Sequence, residues 1–115
     1  MDYIDGFVIA VASDKKDQYR TVAEAAAVVF KEFGALSVVE CWGDDVPPGK
    51  LTSFPLAVKC EPDEVVVFSW VRWPTKAVRD QGMKRVMEDP RMRNAEMPFD
   101  GNRMIYGGFQ IIVDA

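Results

Sequence analysis

The chain has 115 residues, which suits one domain over residues 1–115 and leaves no room for a second ordinary one. Its net charge of −4, with no cluster of Lys and Arg, argues against nucleic acid as a partner. Histidine is absent, so the commonest general base and metal ligand is missing, and we expect neither a metal nor a cofactor.

The first half of the chain has the pattern of a strand, a helix and a second strand. Phe7–Ala12 is a short apolar run with β-branched members, typical of a buried strand. Over Lys15–Phe33, apolar residues recur at offsets of three and four, which predicts an amphipathic helix capped by Ser13 or Asp14. Leu36–Trp42 is the next predicted strand.

The second half repeats this order. Leu56–Cys60 is a candidate short strand, and Val65–Trp73 is the most apolar run of the chain. Lys76–Glu88 is predicted to be a helix, with the preceding threonine as its cap. The last strand is predicted over Met104–Val113, where Gly107–Gly108 indicate a bulge or the close approach of another backbone or a ligand.

Two split β-α-β units in this order predict an α+β protein with the ferredoxin-like fold, an antiparallel sheet and the first and third long strands at its centre. Along Val65–Trp73, apolar side chains point to both faces of the sheet. Two helices can cover only one face, and the other would be a large apolar patch in a monomer. We therefore expect a homodimer in which a second copy covers it.

The chain has no apolar run near the roughly 20 residues that span a bilayer, so we expect no membrane association. Its N-terminus, Met1–Gly6, is acidic, whereas a secretory signal begins with basic residues. These features predict a cytoplasmic protein, in which Cys41 and Cys60 are expected to be free thiols.

Several motifs resemble the YbaA-like bacterial proteins, a family of unknown function in the dimeric α/β-barrel superfamily. They are Asp5–Val8, Val39–Pro47, Gly49–Lys50, Val66–Trp70, Asp89–Met92, Met97–Gly101 and Arg103–Phe109. The resemblance covers nearly the whole chain and implies a ferredoxin-like homodimer whose two sheets form a barrel. It implies no reaction, although the wider superfamily includes cofactor-free oxygenases of aromatic polyketides, isomerases and ligand-sensing domains.

Polar residues within apolar strands are the first candidates for a site. Asp5 and Glu40 are candidate general bases, because a buried carboxylate has a shifted pKa. The commoner explanation is a carboxylate in water at a strand start or a sheet edge. Arg103 is a candidate anion holder, although a pair with Asp100 across the turn is the commoner arrangement.

Aromatic residues are the second set of candidates, as walls of a ligand pocket or as core and interface. Those predicted to bind a ligand are Tyr19, Trp42, Trp70 and Tyr106. Together these residues favour a cofactor-free oxygenase or isomerase acting on a small organic molecule. A non-catalytic protein that binds or senses a small ligand is the alternative.

Overall fold

The computed structural model describes residues 1–115 and contains one four-stranded antiparallel sheet. Its strands are β1 (Tyr3–Ala12), β2 (Ser37–Trp42), β3 (Glu64–Trp73) and β4 (Ile105–Gln110). The helices are α1 (Lys16–Glu32), α2 (Phe54–Ala57), α3 (Lys76–Glu88) and α4 (Pro90–Arg93). The strand order β2-β3-β1-β4 places the first and third strands at the centre, which confirms the predicted ferredoxin-like arrangement.

One predicted strand is wrong, because the segment before β3 forms the short helix α2. The Ser53 hydroxyl accepts a hydrogen bond from the Leu56 N–H at 3.1 Å. Pro55, in the first turn, has no N–H to lose. A capping serine and an early proline therefore start a helix where the apolar residues alone predicted a strand.

The start of α1 also differs from the prediction. Ser13–Lys15 form a 3₁₀ turn, and α1 begins at Lys16 without a side-chain cap. The Ser13 N–H donates to the Asp63 carbonyl at 2.9 Å, so this residue still belongs to the end of the sheet. The predicted cap at Ser13 or Asp14 is therefore wrong, whereas Thr75 does cap α3.

The paired glycines of β4 lie in a regular ladder, so the predicted bulge is absent. Gly107 pairs with Gly6, and Gly108 pairs with Asp5. A methyl group on Gly108 would meet the Tyr3 hydroxyl and the end of the Arg79 side chain. The groups that approach Gly108 are thus two side chains of the chain itself, and not another backbone or a ligand as predicted.

The two faces of the sheet are covered differently. On the helix face, α1 and α3 pack on a core that includes Phe30, Val71 and the fully buried Trp73. On the opposite side, the open face, the segment after α2 covers one end through the fully buried Val58. The remaining apolar side chains of the open face include Phe109, which is 59% exposed. The prediction that apolar residues lie on both faces is thus confirmed.

Candidate functional site

The α1 cavity lies on the helix face, between α1 and β2, and has a volume of about 330 Å³. Its lining combines apolar residues with a few polar ones, as small-molecule sites generally do. The lining residues are Lys16, Tyr19, Arg20, Ala23, Glu24, Ala27, Val38, Glu40, Cys41, Trp42 and Val67. The volume is that of a small organic ligand.

A hydrogen-bonded pair, Tyr19 and Glu40, lies in the wall of this cavity. Tyr19 belongs to the apolar stripe of α1 and is only 8% exposed. Glu40 shares the helix face of β2 with Val38 and Trp42, because alternate residues of a strand point to the same side. The Tyr19 hydroxyl donates to Glu40 Oε1 at 2.6 Å and lies 3.1 Å from Oε2.

Burial changes the acidity of both members of the pair. It raises the pKa of Tyr19 far above its ordinary value, and the hydrogen bond to Glu40 raises it further. Burial also raises the pKa of the Glu40 carboxyl, although hydrogen bonding from Tyr19 and Ser69 acts in the opposite direction. Glu40 as a whole is exposed at the cavity, whereas its bond to Tyr19 is partly buried. Tyr19 therefore stays protonated, and ionised Glu40 is a stronger base than an ordinary carboxylate.

A smaller cavity of about 120 Å³, called the inner cavity because it reaches the central strands, adjoins the α1 cavity. It shares Tyr19 and Glu40 with the α1 cavity, and it reaches Ser69 on the central strand β3. Phe99, from the segment before β4, packs against the Tyr19 ring with the ring centres 6.1 Å apart. The pair therefore lines both cavities, and the inner one is mostly apolar.

Two cations of α1 complete the rim of the α1 cavity. The Lys16 ammonium lies 5.8 Å from the centre of the Trp42 ring. Arg20 is one helical turn further along and forms an ion pair only with Asp17, at 3.6 Å. The sequence analysis did not single out either cation, although Lys16 lies three residues before Tyr19 and Arg20 three before Ala23, a spacing that indicates the same side of α1.

Asp5, the other predicted base, lies outside both cavities and is 4% exposed. Its carboxylate accepts from Trp73 Nε1 at 2.9 Å and from Arg79 Nη2 at 2.8 Å and Nε at 3.0 Å. The interpretation of Asp5 as a carboxylate in water is wrong. The buried ion pair joins β1, β3 and α3, which is a structural arrangement, and Arg79 gave no signal in the sequence.

Arg103, the predicted anion holder, is fully engaged within the chain. It forms a bidentate ion pair with Glu64, in which Nη1 donates to Oε1 at 2.7 Å and Nη2 donates to Oε2 at 2.8 Å. It also donates to Asp100 at 3.1 Å and to the Lys59 carbonyl at 3.0 Å. The structure therefore contains the commoner arrangement, a pair with Asp100, and Arg103 anchors the segment before β4.

The predicted ligand-binding aromatics fall into two groups. Tyr19 and Trp42 line the α1 cavity. Trp70 and Tyr106 instead line a concavity of about 580 Å³ on the open face, together with Phe68 and Phe109. This concavity is almost wholly apolar and contains no carboxylate.

No helix of the chain combines the length and the apolar character that crossing a membrane requires.

The sheet order and the helices on one face define a ferredoxin-like α+β protein. A dimeric ferredoxin-like protein from an uncultured marine organism has a similar structure, with a TM-score of 0.63, 9% identity and 100% coverage of both chains. SnoaB, a cofactor-independent oxygenase from Streptomyces nogalater, gives 0.55 at 11% identity, with 99% and 97% of the chains covered.

The chain belongs to the family DUF1428, proteins of unknown function, whose profile matches residues 2–101. It is 60% identical to the uncharacterised protein YbaA of Escherichia coli K12 over 116 aligned positions, 99% of each chain. The YbaA protein of Shigella flexneri matches equally well. The resemblance to the YbaA-like proteins is thus confirmed.

Proposed function

We propose that this protein is an enzyme in which Glu40 removes a proton from a small organic molecule bound in the α1 cavity. The observation that carries the proposal is the Tyr19–Glu40 hydrogen bond of 2.6 Å in the cavity wall. The reaction class is a cofactor-free oxygenation or an isomerisation. The likeness to SnoaB is one of fold, so it supports the scaffold and not the chemistry.

Both reactions start with the same step. The Glu40 carboxylate takes a proton from an acidic C–H group, and the electron pair of that bond delocalises into the substrate. In an isomerisation, Glu40 returns the proton to another carbon. In an oxygenation, the carbanion reduces dioxygen, so that a CH₂ group and O₂ become a carbonyl group and water. Once Glu40 has taken the proton, the Tyr19 hydroxyl no longer donates to an ionised carboxylate and can turn its one O–H to a charged oxygen of the substrate.

An anthrone tests this chemistry, because its CH₂ group lies next to two aromatic rings and loses a proton readily. We expect enzyme-dependent oxygen uptake with anthraquinone as the product. Glu40→Gln should lower the rate at least about a hundredfold, the usual contribution of a general base. Glu88→Gln makes the same change at an exposed position of α3 and should leave the rate unchanged. A full rate in Glu40→Gln would contradict the assignment of the base.

Non-catalytic ligand binding is the second candidate. It is favoured by the inner cavity, which is mostly apolar and touches the site at Tyr19 and Glu40. A bound small molecule found by mass spectrometry of the purified protein, released unchanged on denaturation, would support it. Turnover that depends on Glu40 would exclude it.

We further propose that the protein is a cytoplasmic homodimer in which two open faces meet. The apolar concavity of about 580 Å³ supports this, as do exposures of 59% for Phe109 and 41% for Phe68. The location is supported by two cysteines that form no disulfide. Light scattering should return twice the chain mass of 12.9 kDa.

A matched pair of variants tests the proposed dimer interface. Phe109→Glu puts a charge on the open face, whereas Val28→Glu does so on α1, at a similar exposure of 55%. We expect only Phe109→Glu to give a monomer, because a charge buried without a partner is costly. A wild-type mass of one chain at micromolar concentration would refute the dimer.

A further inference from the structure

We infer that the ligand of the α1 cavity is an organic anion, with a ring system as its body and one carboxylate at the Lys16 and Arg20 end. The inference rests on the proposed function, because it names the class of molecule that the same cavity takes. It also assigns an orientation along α1.

Both cations at this end are available to an anion. Lys16 forms no ion pair, and its ammonium lies over the flat face of Trp42, 5.8 Å from the ring centre. Arg20 pairs only with Asp17, at 3.6 Å, and the two side chains are 60% and 95% exposed. An exposed pair of that kind is weak, so a ligand carboxylate can replace Asp17 as the partner of Arg20.

The charges of α1 change sign along the cavity. Lys16 is the first residue of the helix, where the helix dipole also favours a negative group. Arg20 follows one turn later, and Glu24 follows after another turn, on the same cavity wall. A carboxylate is therefore attracted to the Trp42 end and repelled from the Glu24 end, which sets the orientation of the ligand.

The distance between the charged end and the reactive end sets the size of the ligand. Glu40 precedes Trp42 by two residues on β2, and a strand advances about 3.3 Å per residue. A group beside Trp42 is thus about 7 Å from one beside Glu40. A carboxylate on a system of two fused rings spans that distance, and its apolar body then lies against Ala23 and Val38, which line the cavity.

Three probes of one shape test this assignment by calorimetry at low salt: 2-naphthoate, neutral 2-naphthamide and cationic 2-naphthylmethylammonium. We expect 2-naphthoate to bind about tenfold more tightly than the amide, since a hydrogen bond to a charged group contributes that much. The cation should bind least well. The test needs no turnover, so it does not depend on the identity of the reaction.

Charge-removing variants locate the binding of the carboxylate. The double variant Lys16→Gln/Arg20→Gln should weaken the binding of 2-naphthoate about tenfold. It should change the affinity for 2-naphthamide by no more than about twofold. Lys15→Gln removes an adjacent charge that does not line the cavity, and it should change neither affinity. Circular dichroism verifies that these surface variants are folded.

The outcomes separate this inference from the proposed function. Equal binding of the carboxylate and the amide, or tightest binding of the cation, overturns the inference and leaves a small-molecule site. An equal effect of Lys15→Gln and the double variant also overturns it, because only the overall charge would then matter. Failure of all three probes to bind at millimolar concentration overturns the inference alone, because oxygen uptake that depends on Glu40 tests the proposed function independently.

Discussion

Replacement of Asp5 by alanine tests whether this carboxylate contributes to the stability of the fold. In the structure, the carboxylate accepts hydrogen bonds from Arg79 and from Trp73 Nε1, and it is 4% exposed. Asp5→Ala leaves Arg79 with only the half-exposed Asp80 carboxylate as a partner, at 2.8 Å, and it leaves the Trp73 N–H without an acceptor. Both costs arise in the folded state only, so the free energy of unfolding should fall.

The magnitude follows from the burial of the two charged groups. Removing one member of a buried ion pair costs about 3–5 kcal/mol. The Arg79 side chain is 23% exposed to water and keeps its ion pair with Asp80, so we expect the lower end of that range. Asp5→Asn should cost less, because its amide oxygen still accepts from Trp73. For a total stability of about 5–15 kcal/mol, the alanine variant should remain folded at low temperature.

Urea unfolding followed by circular dichroism measures this difference at one fixed protein concentration. With an m-value of about 1–3 kcal/mol per molar, a loss of 3 kcal/mol lowers the midpoint by at least about 1 M. Asp17→Ala is the matched control, since its ion pair with Arg20 is exposed, and it should cost below about 1 kcal/mol. If Asp5→Ala costs no more than Asp17→Ala, the structural role of Asp5 is refuted.

Three further predictions concern packing, pH and the site. Gly82→Ala should lower stability by about 1–3 kcal/mol despite the better helix propensity of alanine, because the added methyl would meet the Trp73 ring. Arg103 holds the pKa of Glu64 at about 2, so the stability from this pair is complete above the unfolded pKa of about 4.3 and is lost as the pH falls towards 2. Carboxyl NMR should give Glu40 a raised pKa, and Tyr19→Phe should raise it further by removing a donor.

Each of these predictions has a matched comparison. Gly101→Ala is the packing control, because a methyl group there meets nothing within 4 Å. Glu64→Gln should flatten the loss of stability below pH about 4.3, and an unchanged acid profile would contradict the role of the Arg103 pair. A lower Glu40 pKa in Tyr19→Phe than in wild type would show that the Tyr19 hydroxyl does not stabilise the ionised carboxylate.

The fold was predictable because its strands and long helices follow simple apolar patterns. Lys76–Glu88 has the predicted bounds of α3, and β1 only extends the predicted strand from Phe7 back to Tyr3. The errors in the predicted elements occur where hydrogen bonds to the backbone determine whether and where a helix starts. Ser53 and Pro55 start a helix within an apolar run. The pattern of apolar residues gives no indication of this start.

The candidate site was predictable only residue by residue. Tyr19 and Glu40 were each singled out, but their contact joins residues 21 positions apart on different elements. Asp5 and Glu40 have the same sequence signature, a carboxylate in an apolar strand, but only Asp5 forms an ion pair, with Arg79. That partner lies 74 positions away, beyond the reach of local spacing.

The Tyr19–Glu40 contact depends on the rotation of α1 about its own axis, and α1 follows directly on the 3₁₀ turn of Ser13–Lys15. Each residue of an α-helix advances by about 100° around its axis. An insertion in this turn that kept the packed stripe of α1 in register would leave Tyr19 on the cavity and lengthen only the loop. A shift of α1 by one residue would instead turn Tyr19 and both rim cations away together. The packing of α1 therefore positions the hydrogen-bond donor and the cationic rim together, whereas β2 positions the base, Glu40.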